Sequence, residues 1–152
     1  MSNFDQRLLD AQQALTDQRL SDAGRIIDDL KSQHAEDPNV QYVECLLLRL
    51  QGRLNEARTN LENLTSRVQG HARAHQELAT VSLALNAPES AYKAAERAVA
   101  IDSSLLNCWQ YLVPLRQKFQ PSGVTSAQQQ LAFLQALPSE LRTVISLSLI
   151  HI

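Results

Sequence analysis

Apolar and small residues recur along this chain at two nested intervals. The short interval is helical: Leu20, Ala23, Ile27 and Leu30 share one helix face, as do Ala91, Ala95 and Ala98. The long interval is 34 residues. It relates Ala11, Cys45 and Ala79, then Ala23, Ala57 and Ala91, then Ile27, Leu61 and Ala95. Leu30, Leu64 and Ala98 follow it, and so do Leu20, Leu54 and Pro88. Five series in one register describe a repeated unit, and each unit reads as two antiparallel helices. Ala11, Cys45 and Ala79 stand on the first helix and Ala23, Ala57 and Ala91 on the second, where small side chains let the pair approach closely.

The polar punctuation agrees with this division. Asp37-Pro38 reads as an N-cap followed by proline at the first helical position, where its missing N–H costs nothing. Gly52 and Asn86-Ala87-Pro88 mark the turns inside the second and third units, and Thr125-Ser126-Ala127-Gln128 has capping-box spacing. The pattern predicts helices over 4–17, 20–34, 38–51, 54–68, 71–85, 88–101, 105–119 and 125–136. The fourth pair departs from the rule. Pro114 lies inside its first helix, where a kink is expected, and Pro121-Ser122-Gly123 inserts two residues, moving the small position from Thr125 to Ala127.

Leu78-Ala79, Ala91, Ala98 and Ile101-Asp102 stand where the tetratricopeptide repeat family places its signature residues, and Trp109 with Leu112 resembles the opening of a further repeat. The resemblance implies an all-α fold, a right-handed α-solenoid of antiparallel helix pairs over residues 4–137. Its units are 4–37, 38–71, 72–105 and a divergent 106–137. The stretch from Leu105 to Leu141, with Gln130-Leu131-Ala132-Phe133-Leu134-Gln135-Ala136-Leu137-Pro138-Ser139-Glu140-Leu141 at its end, is similar to the N-terminal repeats of bacterial tetratricopeptide-repeat sulfotransferases. That narrower resemblance implies a non-catalytic front part of a longer enzyme.

Residues 138–152 form a tail of a different kind. Val144-Ile145-Ser146-Leu147-Ser148-Leu149-Ile150-His151-Ile152 leaves the helical period for an apolar, β-branched string. Two expectations stand for it: a capping helix over the last repeat, or a non-native read-through resembling a translated adapter oligonucleotide, which makes the chain a fragment.

Composition narrows the function classes. Apolar residues make up 44% and charged residues 20%, the balance of a globular chain and not a disordered one. The net charge of −2 is spread evenly: residues 1–70 hold 11 acids and 8 bases, residues 71–152 hold 5 acids and 6 bases. No basic face is available for phosphate neutralisation, so nucleic acid is not an expected partner. No apolar run approaches the roughly 18 residues that cross a bilayer, and the N-terminus lacks the charge and hydropathy of a secretion signal. Cys45 and Cys108 make no disulfide framework, and reduced thiols in a cytoplasmic protein are expected.

Chemistry is sparse. Gly24, Gly52, Gly70 and Gly123 are dispersed and form no phosphate-binding loop. His71 and His75 are one turn apart with Glu77 nearby, but nothing else converges, so this is read as the solvated start of a helix and no metal is expected. Cys45 occupies a small core position, Cys108 adjoins packing residues, and Asp28-Asp29 is surface charge. No catalytic residue and no cofactor are expected, and the chain itself is not read as an enzyme.

The expected function is a protein–protein interaction scaffold. In such repeats the first helices line the binding face. The register places Leu8, Gln12 and Leu15 there, then Tyr42, Leu46 and Arg49, then Arg73, Gln76, Thr80 and Leu83, with Gln110 and Gln117 after them. The face is mixed and nearly neutral, suited to an extended peptide, another protein, or the C-terminal domain of a parent chain. Some relatives of the repeat family clamp acidic C-terminal tails. The matching positions here are Leu8, Gln12, Val43, Arg73 and Glu77, of which only Arg73 carries the right charge, so no such clamp is expected.

Overall fold

The computed structural model describes residues 2–141 as helices joined by short turns, with no strand among them. The predicted tail from 142 onward lies outside the described residues. The chain forms two compact units, one ending at Gln69 and the other beginning at Gly70.

The first unit contains α1 (Asn3–Thr16), α2 (Leu20–His34), α3 (Pro38–Leu50) and α4 (Leu54–Arg67). α1 packs on α2 and α3, α2 on α3, and α3 on α4. The second contains α5 (Ala72–Ala84), α6 (Pro88–Ile101), α7 (Leu106–Phe119) and α8 (Val124–Ala136), with a 3-10 turn at Pro121–Gly123. α5 packs on α6, α6 on α7, and α7 on α8. The predicted spans at 20–34 and 88–101 coincide with α2 and α6, and the others differ by one residue at one or both ends.

The 34-residue series are core positions. Ala11, Cys45 and Ala79 are buried, as are Ala23, Ala57 and Ala91, and no member of the series Ile27/Leu61/Ala95 or Leu30/Leu64/Ala98 is more than 4% exposed. Burying such apolar surface against a neighbour is what holds a short helix that is marginal alone.

The turn inside each pair repeats in atomic detail. Gln18, Gly52 and Asn86, again 34 apart, all take positive φ, at 61°, 79° and 57°. The following N–H reaches back to a carbonyl deep in the preceding helix: Arg19 to Ala14 at 2.8 Å, Arg53 to Leu48 at 2.9 Å, Ala87 to Ser82 at 2.8 Å. This is a left-handed C-terminal cap closed by a six-to-one hydrogen bond, satisfying carbonyls that the helix end leaves open. The fourth pair breaks the series. Gln120, the next member, has φ −153°, and the chain passes through the 3-10 turn instead.

The start of the first helix is capped differently in each pair. Asp37 accepts from the N–H groups of Asn39 at 2.8 Å and Val40 at 3.2 Å, as its pairing with Pro38 predicts. His71 Nδ1 accepts from the Ala74 N–H at 3.1 Å, and Leu105 offers no side-chain cap. One expectation fails in the fourth pair. Thr125 does not cap α8: the helix already begins at Val124 behind Gly123, because the 3-10 turn feeds straight into it. Pro114 lies inside α7 as expected, and the helix continues past it to Phe119. Pro114 and Gln110, whose carbonyl loses its helical partner, are both exposed, so water can reach that group. The displaced small position is where the insertion puts it: Ala127 is fully buried.

Candidate interaction faces

In the first unit, Leu8, Gln12 and Leu15 lie on one face of α1 and Tyr42, Leu46 and Arg49 on one face of α3, the helix beside it. Leu8, Gln12, Leu46 and Arg49 are half-buried, whereas Leu15 and Tyr42 are only 4% and 8% exposed. The accessible part of this face is thus two aliphatic side chains, one amide and one guanidinium. In the second unit, Arg73 is exposed on α5, and Gln76, Thr80 and Leu83 are half-buried. The Thr80 hydroxyl is 2.9 Å from the Tyr111 hydroxyl of α7, and the Cys108 thiol donates to Gln76 Oε1 at 3.8 Å. These bonds fix two of the predicted face residues against the neighbouring first helix. Gln110 and Gln117 are exposed on α7.

His75 and Glu77 are not the solvated helix start that the sequence suggests. Both are buried, at 4% exposed. With Glu77 buried and Val43 fully buried in the first unit, two of the five positions matching an acidic-tail clamp are unavailable to a ligand. No group of three or more metal-ligating side chains occurs among the described residues.

Cys45 and Cys108 are buried and form no disulfide. Burial, aided by the Asp102 carboxylate, pushes the Cys108 thiol up to about 12, which keeps it protonated and a poor nucleophile at neutral pH.

The densest polar cluster is one that sequence reasoning missed. Arg116 of α7 makes a bidentate pair with Glu96 of α6, at 2.6 Å and 2.9 Å. It also donates to the Gly123 carbonyl at 2.9 Å and to Ser126 Oγ at 3.0 Å. Its guanidinium lies 5.3 Å from the Trp109 ring centroid, and the Trp109 indole N–H donates to the Ser103 carbonyl at 2.9 Å. The Glu96 carboxylate raises the Arg116 pKa further above its ordinary value. The cluster ties α6, α7, the 3-10 turn and α8 together. Every member is consumed by another, so its role is structural.

No family model matches the sequence, and no curated protein matches it. Solved structures do. The structure of pilF from Pseudomonas aeruginosa aligns with 97% of this chain and 68% of its own, at TM-score 0.75 and 16% identity. A MamA RS-1 double mutant aligns with 88% of this chain and 75% of its own, at TM-score 0.68 and 15% identity. A crystal structure of MamA aligns with 89% and 75%, at TM-score 0.67 and 14% identity. The fold is of the tetratricopeptide type. At this identity the likeness concerns the fold alone, an all-α arrangement of antiparallel helix pairs. No helix among the described residues is long and apolar enough to cross a membrane.

Proposed function

We propose that this chain is a protein–protein interaction module, with no catalytic centre of its own, that holds an extended peptide or another protein domain against the faces of its first helices. The repeats in this reading are 4–37, 38–71, 72–105 and 106–137. The observation that carries it is the pairing of a tetratricopeptide-type fold with first-helix faces whose accessible residues are mixed in character: Leu8, Gln12, Leu46 and Arg49 in one unit, Arg73, Gln76, Thr80 and Leu83 in the other. Such a surface supplies apolar contact with amide and guanidinium donors for a peptide main chain. The pilF and MamA likenesses support the scaffold reading through their fold. Two buried cysteines that form no disulfide accord with a reducing, cytoplasmic setting.

The test is selection of ligands from a displayed peptide library, followed by calorimetry on variants. Leu46→Glu and Arg73→Glu are expected to weaken the selected peptides about tenfold or more, as centrally placed contacts do. Asp28→Asn, on exposed α2 surface, is expected to change nothing. Affinities indifferent to every first-helix variant would sink the reading.

A narrower alternative places the chain at the front of a bacterial sulfotransferase. It rests on the Leu105–Leu141 resemblance. Reading the gene from intact genomic DNA past the codon for Thr143 tests it, since a sulfotransferase frame continues into more repeats and a phosphate-binding domain.

A further inference from the structure

The first unit has a second polar feature, away from the first-helix face. A cleft of about 250 Å³ opens between α2, the start of α3, and α4, lined by Lys31, Ala35, Gln41, Glu44, Thr59, Asn60, Asn63 and Arg67. No large apolar side chain contributes to it.

The charges there are unequally satisfied. Lys31 Nζ pairs with Glu44 at 2.5 Å. Arg67, in contrast, is held by two neutral oxygens from two helices: its Nε donates to Asn63 Oδ1 at 2.9 Å, and its Nη2 donates to Gln41 Oε1. Gln41 is fixed in turn, because its Nε2 donates to the Ala35 carbonyl at 3.0 Å. The guanidinium is therefore positioned by amides without being neutralised, and the cleft keeps one uncompensated positive charge. The Asn60 side chain makes no hydrogen bond to any described residue, and Asn63 engages through its oxygen, leaving its amide N–H groups to the cleft.

We infer that this cleft binds the carboxylate of an acidic side chain in an extended peptide, with Arg67 as the anchor and the Asn60 and Asn63 amides on the adjacent main chain. A single uncompensated cation matches a monoanion. With Nε and one Nη2 N–H given to Asn63 and Gln41, the remaining N–H groups of the guanidinium end meet the carboxylate, and side-chain amides complement peptide N–H and C=O groups. The space exceeds what a bare ion fills, and Ala35 leaves room beside the anchor. This site is distinct from the first-helix face: half of its lining comes from α4, and the α3 residues in it, Gln41 and Glu44, are not among Tyr42, Leu46 and Arg49.

The experiment is a titration of the full chain followed by amide and arginine Nε nuclear magnetic resonance. The probe is acetyl-Gly-Glu-Gly-amide. The comparators are its Gln counterpart, acetyl-Gly-Gly-Gly, whose only charge is its terminal carboxylate, and inorganic phosphate. Saturable shifts are expected around Lys31, Gln41, Asn60, Asn63 and the Arg67 Nε with the Glu peptide at millimolar concentration. They should be lost in Arg67→Gln, kept in Arg58→Gln, and unaffected by Leu46→Glu. The spectrum of each variant reports at once that it is folded. An equal response to the Gln peptide, or one that survives Arg67→Gln, overturns the assignment. So does tighter binding of phosphate or acetyl-Gly-Gly-Gly, which would make the cleft a site for free anions or chain termini.

Discussion

The two units solve the same packing problem with different materials. In the first, the second helices carry Ile27 and Leu30, then Leu61 and Leu64, and these large aliphatic groups fill the interior. In the second, the same register holds Ala95 and Ala98. Each exchange removes about three methyl or methylene groups, a void no core tolerates cheaply. The filling comes instead from α7. Ala94, Ala95 and Ala98 form one buried cluster with Cys108, Trp109 and Leu112, joined by Ala127 and Leu134 of α8. One unit thus spreads its packing over several equivalent residues. The other concentrates it on a single aromatic ring, oriented by the Ser103 carbonyl and covered by Arg116. The backbone plan can stay constant while the residue that fills each layer changes helix.

Four substitutions and one control probe this contrast, each read as the change in urea-unfolding free energy. Trp109→Ala is expected to cost about 3–5 kcal/mol, the range for deleting a buried aromatic. A loss near that of an exposed site would show that the second unit does not hinge on this ring. Arg116→Gln abolishes the bidentate pair with Glu96 and the cover over Trp109. With Arg116 12% and Glu96 28% exposed, about 1–3 kcal/mol is expected, and a neutral result would mean that α8 docks without the cluster. In the first unit, Ala57→Leu should cost a similar 1–3 kcal/mol or so by forcing α3 and α4 apart, while Gln51→Leu on the exposed turn does little. Equal effects at the two positions would discredit the 34-residue register. The smallest change is a gain. The Ser82 hydroxyl is fully buried with no hydrogen-bond partner among the described residues, and its counterpart one unit pair earlier along the register is Leu48, preceded by Ala14. Ser82→Ala should stabilise by about 1 kcal/mol, and a loss would reveal a hidden partner for the hydroxyl.

Helices, turns and the small core positions were legible in the sequence because each is set by local periodicity and repeats in the same register. Gly52 marked one left-handed turn openly. Asn86-Ala87-Pro88 marked the next turn, and only Gln18 rested on its spacing from them. Thr125 misled, since a capping-box spacing says nothing of a 3-10 turn that starts the helix earlier. His75 and Glu77 misled for another reason: a polar residue one turn from a helix start is usually solvated, and only tertiary packing turns that face inward. The Arg116 cluster was invisible because its members, Glu96, Gly123 and Ser126, lie 20, 7 and 10 residues away at no repeated interval. For the interaction face, sequence register indicated which residues share a helix side. It gave no sign that Leu15 and Tyr42 would be drawn into the core.

The left-handed step at Gln18, Gly52 and Asn86 has a consequence for how such a chain can change. An amide, a hydrogen and a carboxamide occupy the same backbone state, and a Cβ built on Gly52 meets nothing within 4 Å. The position stores a direction of travel, not a contact, so the three-residue turn behaves as an interchangeable cassette. Grafting Asp17-Gln18-Arg19 in place of Gln51-Gly52-Arg53 is expected to leave the helices and their buried residues in place, which an unchanged helical circular-dichroism spectrum and urea midpoint would check. Duplication and divergence can therefore rewrite the helices that meet at such a joint while the joint itself carries over unchanged from copy to copy.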